Sequence, residues 1–174
     1  MQPNRPGRGS ARSRRCFQVL PAIAFAALLL VSGCGGAGGS PAGTQAGQGP
    51  KVTVMARSVP GVGQVLVTST GYTLYLFQPD DRRTVTCTAV CAGTWPPLML
   101  SSGGVAVAGP GVKSSLLGSD PDPAGGRVVT YDGWPLYTYV GDIQPRQATG
   151  QGIDLNGGAW FVLRPSGAPL IPAQ

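Results

Sequence analysis

Apolar residues come as one 13-residue block at positions 19–31 (VLPAIAFAALLLV) and afterwards only in short runs broken by Gly, Pro, Thr and Asp. Beyond residue 51 no stretch carries a convincing helical period; the best helical piece is a short turn around Val112 to Leu117, ahead of Gly118. The runs themselves are rich in Val, Thr, Tyr, Phe and Trp, which suit a pleated, half-buried surface, so the pattern predicts strands. Two runs are copies of each other. Residues 67–80 (VTSTGYTLYLFQPD) align without gaps to 129–142 (VTYDGWPLYTYVGD), sharing Val67/Val129, Thr68/Thr130, Gly71/Gly133, Leu74/Leu136, Tyr75/Tyr137 and Asp80/Asp142, with aromatics at Tyr72/Trp134 and Phe77/Tyr139. A fainter echo follows as Gly93-Thr94-Trp95-x-x-Leu98 and Gly158-Ala159-Trp160-x-x-Leu163.

Each copy predicts a hairpin. In the second, Arg127 to Thr130 and Trp134 to Val140 flank Tyr-Asp-Gly, and Asp-Gly between apolar runs favours a tight turn because such a turn needs positive φ. Thr70-Gly71 takes the same place in the first. Residues 101–111 and 118–126 are rich in Gly, Pro, Ser and Asp and read as the connection between repeats. The expectation is an all-β fold, a small sandwich or barrel of two duplicated hairpin units with approximate internal twofold symmetry: repeat 1 over about 64–103, the connection over about 104–126 and repeat 2 over about 127–168.

The repeated Tyr-x-aromatic-x-x-Asp has two readings. Strand alternation puts Tyr75 with Phe77 on one face and Leu74 with Leu76 on the other, and Tyr137 with Tyr139 opposite Leu136 and Thr138. Facing inward, these rings fill a shared core, and Asp80 and Asp142 end the strands by accepting N–H bonds in the following turns. Facing outward, four rings and two carboxylates form a ligand platform. The inward reading is favoured, because each ring can bury 150–250 Å² and a small core needs that area.

The chain ends change the picture of location. The first apolar block is shorter than the roughly 20 residues that span a bilayer, and it follows Arg5, Arg8, Arg12, Arg14 and Arg15, the layout of a secretory signal. It closes in Val31-Ser32-Gly33-Cys34, which resembles the lipobox of bacterial lipoproteins and marks Cys34 for a lipid. Ser13-Arg14-Arg15-Cys16-Phe17 resembles a twin-arginine signal, and an ordinary basic start reads equally well. Residues 1–33 are thus a signal peptide, residues 34–50 a lipidated Cys on a flexible Gly-rich tether, and residues 51–174 the all-β domain.

Charge and composition then exclude whole classes. Losing the five leader arginines leaves eight basic side chains against seven acidic ones, a net charge near +1 with no basic cluster beyond Arg82-Arg83, so no nucleic-acid partner is expected. With no His and no Glu, the usual zinc sites, Ser-His-Asp and Cys-His catalysis and His-ligated haem are all excluded, and no metal or cofactor is expected. Asp80 with Asp142 is the one pair to weigh for glycoside hydrolysis, but each lies among turn formers, so no catalytic residue is assigned. Cys87 and Cys91 are the remaining thiols. In an oxidising compartment a structural disulfide is the simplest reading, and a redox-active dithiol is the alternative.

These residues together resemble the bacterial secreted-repeat lipoproteins with a Tyr-x-aromatic-x-x-Asp motif, a family of unknown function. The resemblance rests on Tyr75-x-Phe77-x-x-Asp80 and Tyr137-x-Tyr139-x-x-Asp142, with Cys87, Cys91, Trp95-Pro96-Pro97-Leu98 and Gly150-Gln151-Gly152, and covers nearly all of residues 64–168. It implies a duplicated extracytoplasmic module, lipid-anchored to the cell membrane through Cys34. Two functions fit: a non-enzymatic envelope module binding a glycan, peptide or protein, and a redox or cofactor-associated envelope protein that uses the tyrosines and the Cys pair.

Overall fold

The computed structural model describes residues 49–172. The signal segment, Cys34 and most of the tether lie outside the described residues. Among the described residues nine strands account for nearly all regular structure: β1 Lys51–Val59, β2 Gly63–Thr68, β3 Tyr75–Phe77, β4 Met99–Leu100, β5 Val105–Ala108, β6 Leu117–Pro121, β7 Arg127–Tyr131, β8 Trp134–Pro135 and β9 Trp160–Val162. The domain is all-β. The one α-helix among the described residues, α1 Val90–Thr94, has five residues, and short 3₁₀ turns cover Gln78–Asp80 and Ser114–Leu116, the latter inside the stretch expected to be helical.

Three sheets form, and among the described residues none closes on itself. The first runs β2-β1-β5, with β1 antiparallel to β2 from Val54↔Thr68 to Val59↔Gly63 and parallel to β5 from Lys51↔Val105 to Val54↔Ala108. The second pairs β3 with β9, Tyr75↔Val162 to Phe77↔Trp160. The third runs β4-β7-β6, with β8 folded back on β7. Two of these strands fall within residues 104–126, read from composition as the connection between repeats. Val105-Ala-Val-Ala supplies β5 beside β1, and Leu117–Pro121 supplies β6 beside β7. The surrounding Gly, Ser and Pro disguised both, because a short edge strand is selected by the partner backbone it satisfies more than by its own propensity.

The two hairpins turn differently. In the second, Asp132 (φ 51°) and Gly133 (φ 83°) are both left-handed and join Tyr131↔Trp134 as a two-residue turn. Asp tolerates that conformation; a β-branched Thr does not. In the first, Thr70 keeps negative φ, and only Gly71 (φ 91°) is left-handed. The Gly71 N–H bonds the Thr68 carbonyl and the Thr68 N–H bonds the Tyr72 carbonyl, which makes a three-residue loop with a bulge. Pairing is therefore Val67↔Thr73 in one hairpin and Thr130↔Pro135 in the other, one residue out of step.

β3 is buried along its whole length and separates two apolar clusters. Leu74 and Leu76 point into one, with Leu66, Val129, Tyr131, Leu136 and Leu163. Tyr75 and Phe77 point into the other, with Trp95, Tyr137, Trp160, Cys87 and Val65. A strand with apolar residues on both faces needs cover on both faces, and here it has it.

Candidate functional site

The repeated motif lies inside. Tyr75, Tyr137 and Asp80 have no exposed surface, Phe77 retains 3% and Asp142 4%; Tyr139 packs against the same cluster, partly buried. Tyr75 and Tyr137 face each other as an antiparallel bridge, each N–H donating to the other's carbonyl at 2.9 Å.

From that bridge the side chains reach across. The Tyr75 hydroxyl donates to Asp142 Oδ2 at 2.6 Å, and the Tyr137 hydroxyl donates to Asp80 Oδ2 at 2.6 Å. Each tyrosine thus binds the carboxylate of the other repeat. The second oxygen of each carboxylate is also taken: Asp80 Oδ1 accepts from Thr86 N and Oγ1 at 2.8 and 2.7 Å, and Asp142 Oδ1 from Thr149 N and Oγ1 at 2.8 and 2.6 Å. Both aspartates accept an N–H from the loop that follows them. Four backbone and side-chain donors and two tyrosines fill both carboxylates, so neither offers a substrate-facing acid or base.

Burial governs the electrostatics. Removal from water pushes the Tyr75 hydroxyl far above its ordinary range, reinforced by the Asp142 hydrogen bond and charge and opposed only by the Gly150 N–H. Tyr137 is pushed up in the same way, by burial first and by Asp80 second. Burial also raises the Asp80 carboxyl, against which the bonds from Tyr137 and Thr86 act. The shifts on Tyr75 and Tyr137 favour neutral tyrosines whose hydroxyls keep the proton they donate.

The rings form a stack through the same region. Phe77 lies on Trp160 (centroids 4.3 Å apart), Trp160 on Trp95 (3.9 Å, planes 2° apart) and Trp95 on Tyr139 (4.1 Å). Tyr75 meets Trp95 edge-on at 5.4 Å, and Tyr137 meets Trp160 edge-on at 5.2 Å. The indole N–H groups differ: Trp160 Nε1 donates to the Leu155 carbonyl at 3.0 Å, whereas Trp95 Nε1 is buried without a partner. Beside the stack Cys87 and Cys91 are joined as a disulfide, with Cα atoms 5.2 Å apart and Cys87 buried.

The sequence singles out Tyr75, Phe77, Asp80, Tyr137, Tyr139 and Asp142, and all six meet at one centre, five of them buried and Tyr139 partly so. It does not single out Thr86 and Thr149, which follow the aspartates at unequal spacings, nor the role of Trp95 and Trp160, legible only as the echo after the main repeat. Cys34 lies outside the described residues. Among the described residues no three His, Cys, Asp or Glu side chains gather to hold a metal, and no helix is long and apolar enough to cross a membrane.

A family model described as a secreted repeat of unknown function matches the chain twice, over residues 58–99 and 120–164. No curated protein and no solved structure matches it. The chain belongs to this secreted-repeat family, which fits an extracytoplasmic protein.

Proposed function

We propose that this secreted-repeat protein is an extracytoplasmic module, held at the cell membrane by a lipid on Cys34 and acting by binding rather than by catalysis. In this reading residues 1–33 are removed on export, residues 34–50 carry the lipid and act as tether, and residues 51–174 are a duplicated unit with approximate twofold symmetry. The partner is an envelope glycan, peptide or protein. One observation carries the reading: the motif aspartates and tyrosines spend their polar atoms on each other inside the core. The most reactive groups of the chain are thereby used to lock two halves together, which leaves the surface to do the work.

The redox alternative needs a disulfide within reach of an exchanging thiol; burial of Cys87 shields one sulfur and leaves the partly buried Cys91 as the one point of attack. The anchor is tested by intact mass measurement of the exported protein, with membrane fractionation of Cys34→Ala beside it. The expected result is a diacylglycerol adduct on Cys34 and release of the Ala variant; an exported wild-type chain without the adduct overturns the anchor.

A further inference from the structure

Each hairpin tip is met by the loop that follows the aspartate of the other repeat, and the two meetings differ in one respect. At the second tip, the Arg83 N–H donates to the Gly133 carbonyl at 2.8 Å. The Arg82 guanidinium pairs with Asp132 at 2.9 Å and lies 5.8 Å from the Trp134 ring centroid. At the first tip the backbone contact recurs, with the Arg146 N–H donating to the Gly71 carbonyl at 3.1 Å. The packing beneath recurs too. A Cβ added at Gly133 would lie 3.4 Å from Arg82 Cβ, and one added at Gly71 would lie 3.2 Å from Pro145 Cβ. Pro145 therefore stands where Arg82 stands, Thr70 where Asp132 stands and Tyr72 where Trp134 stands. A proline carries no cation to lie over a ring or to pair with a carboxylate, and Thr70 offers no carboxylate. A groove of about 420 Å³ flanks the second tip as well, so the contrast is one of charge: the second tip is closed electrostatically by its own chain, and the first is left open.

What remains around the open tip is a two-sided surface. On one side a cavity of about 400 Å³ is lined by Arg57, Arg146, Ser58, Ser69 and Thr70 and contains no acidic residue. On the other a cavity of about 340 Å³ is lined by Tyr72, Tyr139, Thr138 and again Thr70. Asp142 also borders that second cavity, but its oxygens are already filled by Tyr75 and Thr149. Neither Arg57 nor Arg146 forms an ion pair among the described residues. The matching groove at the closed tip holds Asp120 and Asp132 beside Arg82 and Arg83, and so neutralises itself.

We infer that the first hairpin tip binds an acidic saccharide, with a sugar ring against Tyr72 and the exposed edge of Tyr139, hydroxyls on Ser and Thr, and a carboxylate on Arg57 and Arg146. The inference rests on the binding-module reading and names the ligand class of that module. Calorimetric titration of the full chain tests it, using tetragalacturonate, a neutral galactose tetrasaccharide of equal length, and inorganic phosphate.

Tetragalacturonate alone should bind. Arg57→Ala and Arg146→Ala should each weaken it about tenfold, the worth of one charge-assisted bond. Arg82→Ala, at the closed tip, should leave it unchanged. Thr70→Asp with Pro145→Arg rebuilds the closed arrangement and should abolish binding while circular dichroism and the melting transition show the fold retained. Equal binding of the neutral sugar overturns the role of the guanidiniums, and equal binding of phosphate overturns the saccharide. Absence of binding, or binding indifferent to Arg57 and Arg146, overturns the site itself. Membrane retention reads the anchor independently, so an anchored chain that fails this titration removes the ligand assignment and leaves the anchor standing.

Discussion

The loops after Asp80 and Asp142 deliver the same two threonine donors by different means. After Asp80 the chain runs through Asp81, Arg82 and Arg83, all with positive φ, a strain of roughly 1–2 kcal/mol for each such residue. It then donates from Thr86 and enters the Cys87–Cys91 disulfide and α1. After Asp142 only Arg146 is left-handed before Thr149 donates, and the next residue is Gly150. A Cβ at Gly150 would sit 2.7 Å from the Trp95 ring, so this position must lack one, whereas its counterpart after Thr86 is a buried cysteine. One loop is held by a covalent cross-link and the other by a glycine that lets backbone and ring touch. The difference teaches that the tertiary demand is the set of donors around a buried carboxylate. Local backbone is free to meet it in more than one way.

The sharpest way to break this comparison is to remove the carboxylates. Asp80→Ala and Asp142→Ala should each cost about 3–5 kcal/mol in urea unfolding, because each strands a buried tyrosine hydroxyl and two threonine donors. Matching losses support two equivalent locks; a loss below about 1 kcal/mol in either would show that one of them is ornamental.

Alkaline titration probes both locks at once. Tyr75 and Tyr137 have folded pKa values raised above the ordinary 10, so their contribution is intact below pH 10 and is lost as pH rises above it, while only the unfolded chain ionises. Stability should fall by up to about 2.7 kcal/mol per pH unit above 10, about 1.4 from each tyrosine. Tyr75→Phe should halve that slope; an unchanged slope would mean that Tyr75 does not hold its proton in the folded state.

The smallest effect sharpens the contrast between loops. Replacing Cys87 and Cys91 together by Ala should cost about 2 kcal/mol, the loop-closure value for so short a ring. Double-mutant cycles should show coupling to Asp80→Ala, whose loop the disulfide borders, and additivity with Asp142→Ala. Equal coupling to both would place the disulfide's influence in the shared core rather than in its own loop.

By itself the sequence determined the class and the units. Short β-branched and aromatic runs, Asp-Gly at one hairpin tip and two copies of one motif are enough to read an all-β domain and its family, since strand alternation and turn φ are local properties. The Cys87–Cys91 pairing was equally legible, because residues 51–174 contain these two cysteines and no other. Only the tertiary structure decided which way the rings face and which carboxylate each tyrosine takes. Tyr75 lies five residues from Asp80 and 67 from Asp142, and it is the distant one that it binds. The extended strand points the hydroxyl away from its own turn and across the Tyr75–Tyr137 bridge, a direction that spacing along the chain does not encode. The same holds for β5 and β6, whose composition reads as loop until a neighbouring backbone offers its hydrogen bonds. Partner choice between distant segments is set by the closure of the whole fold, where buried donors must find acceptors.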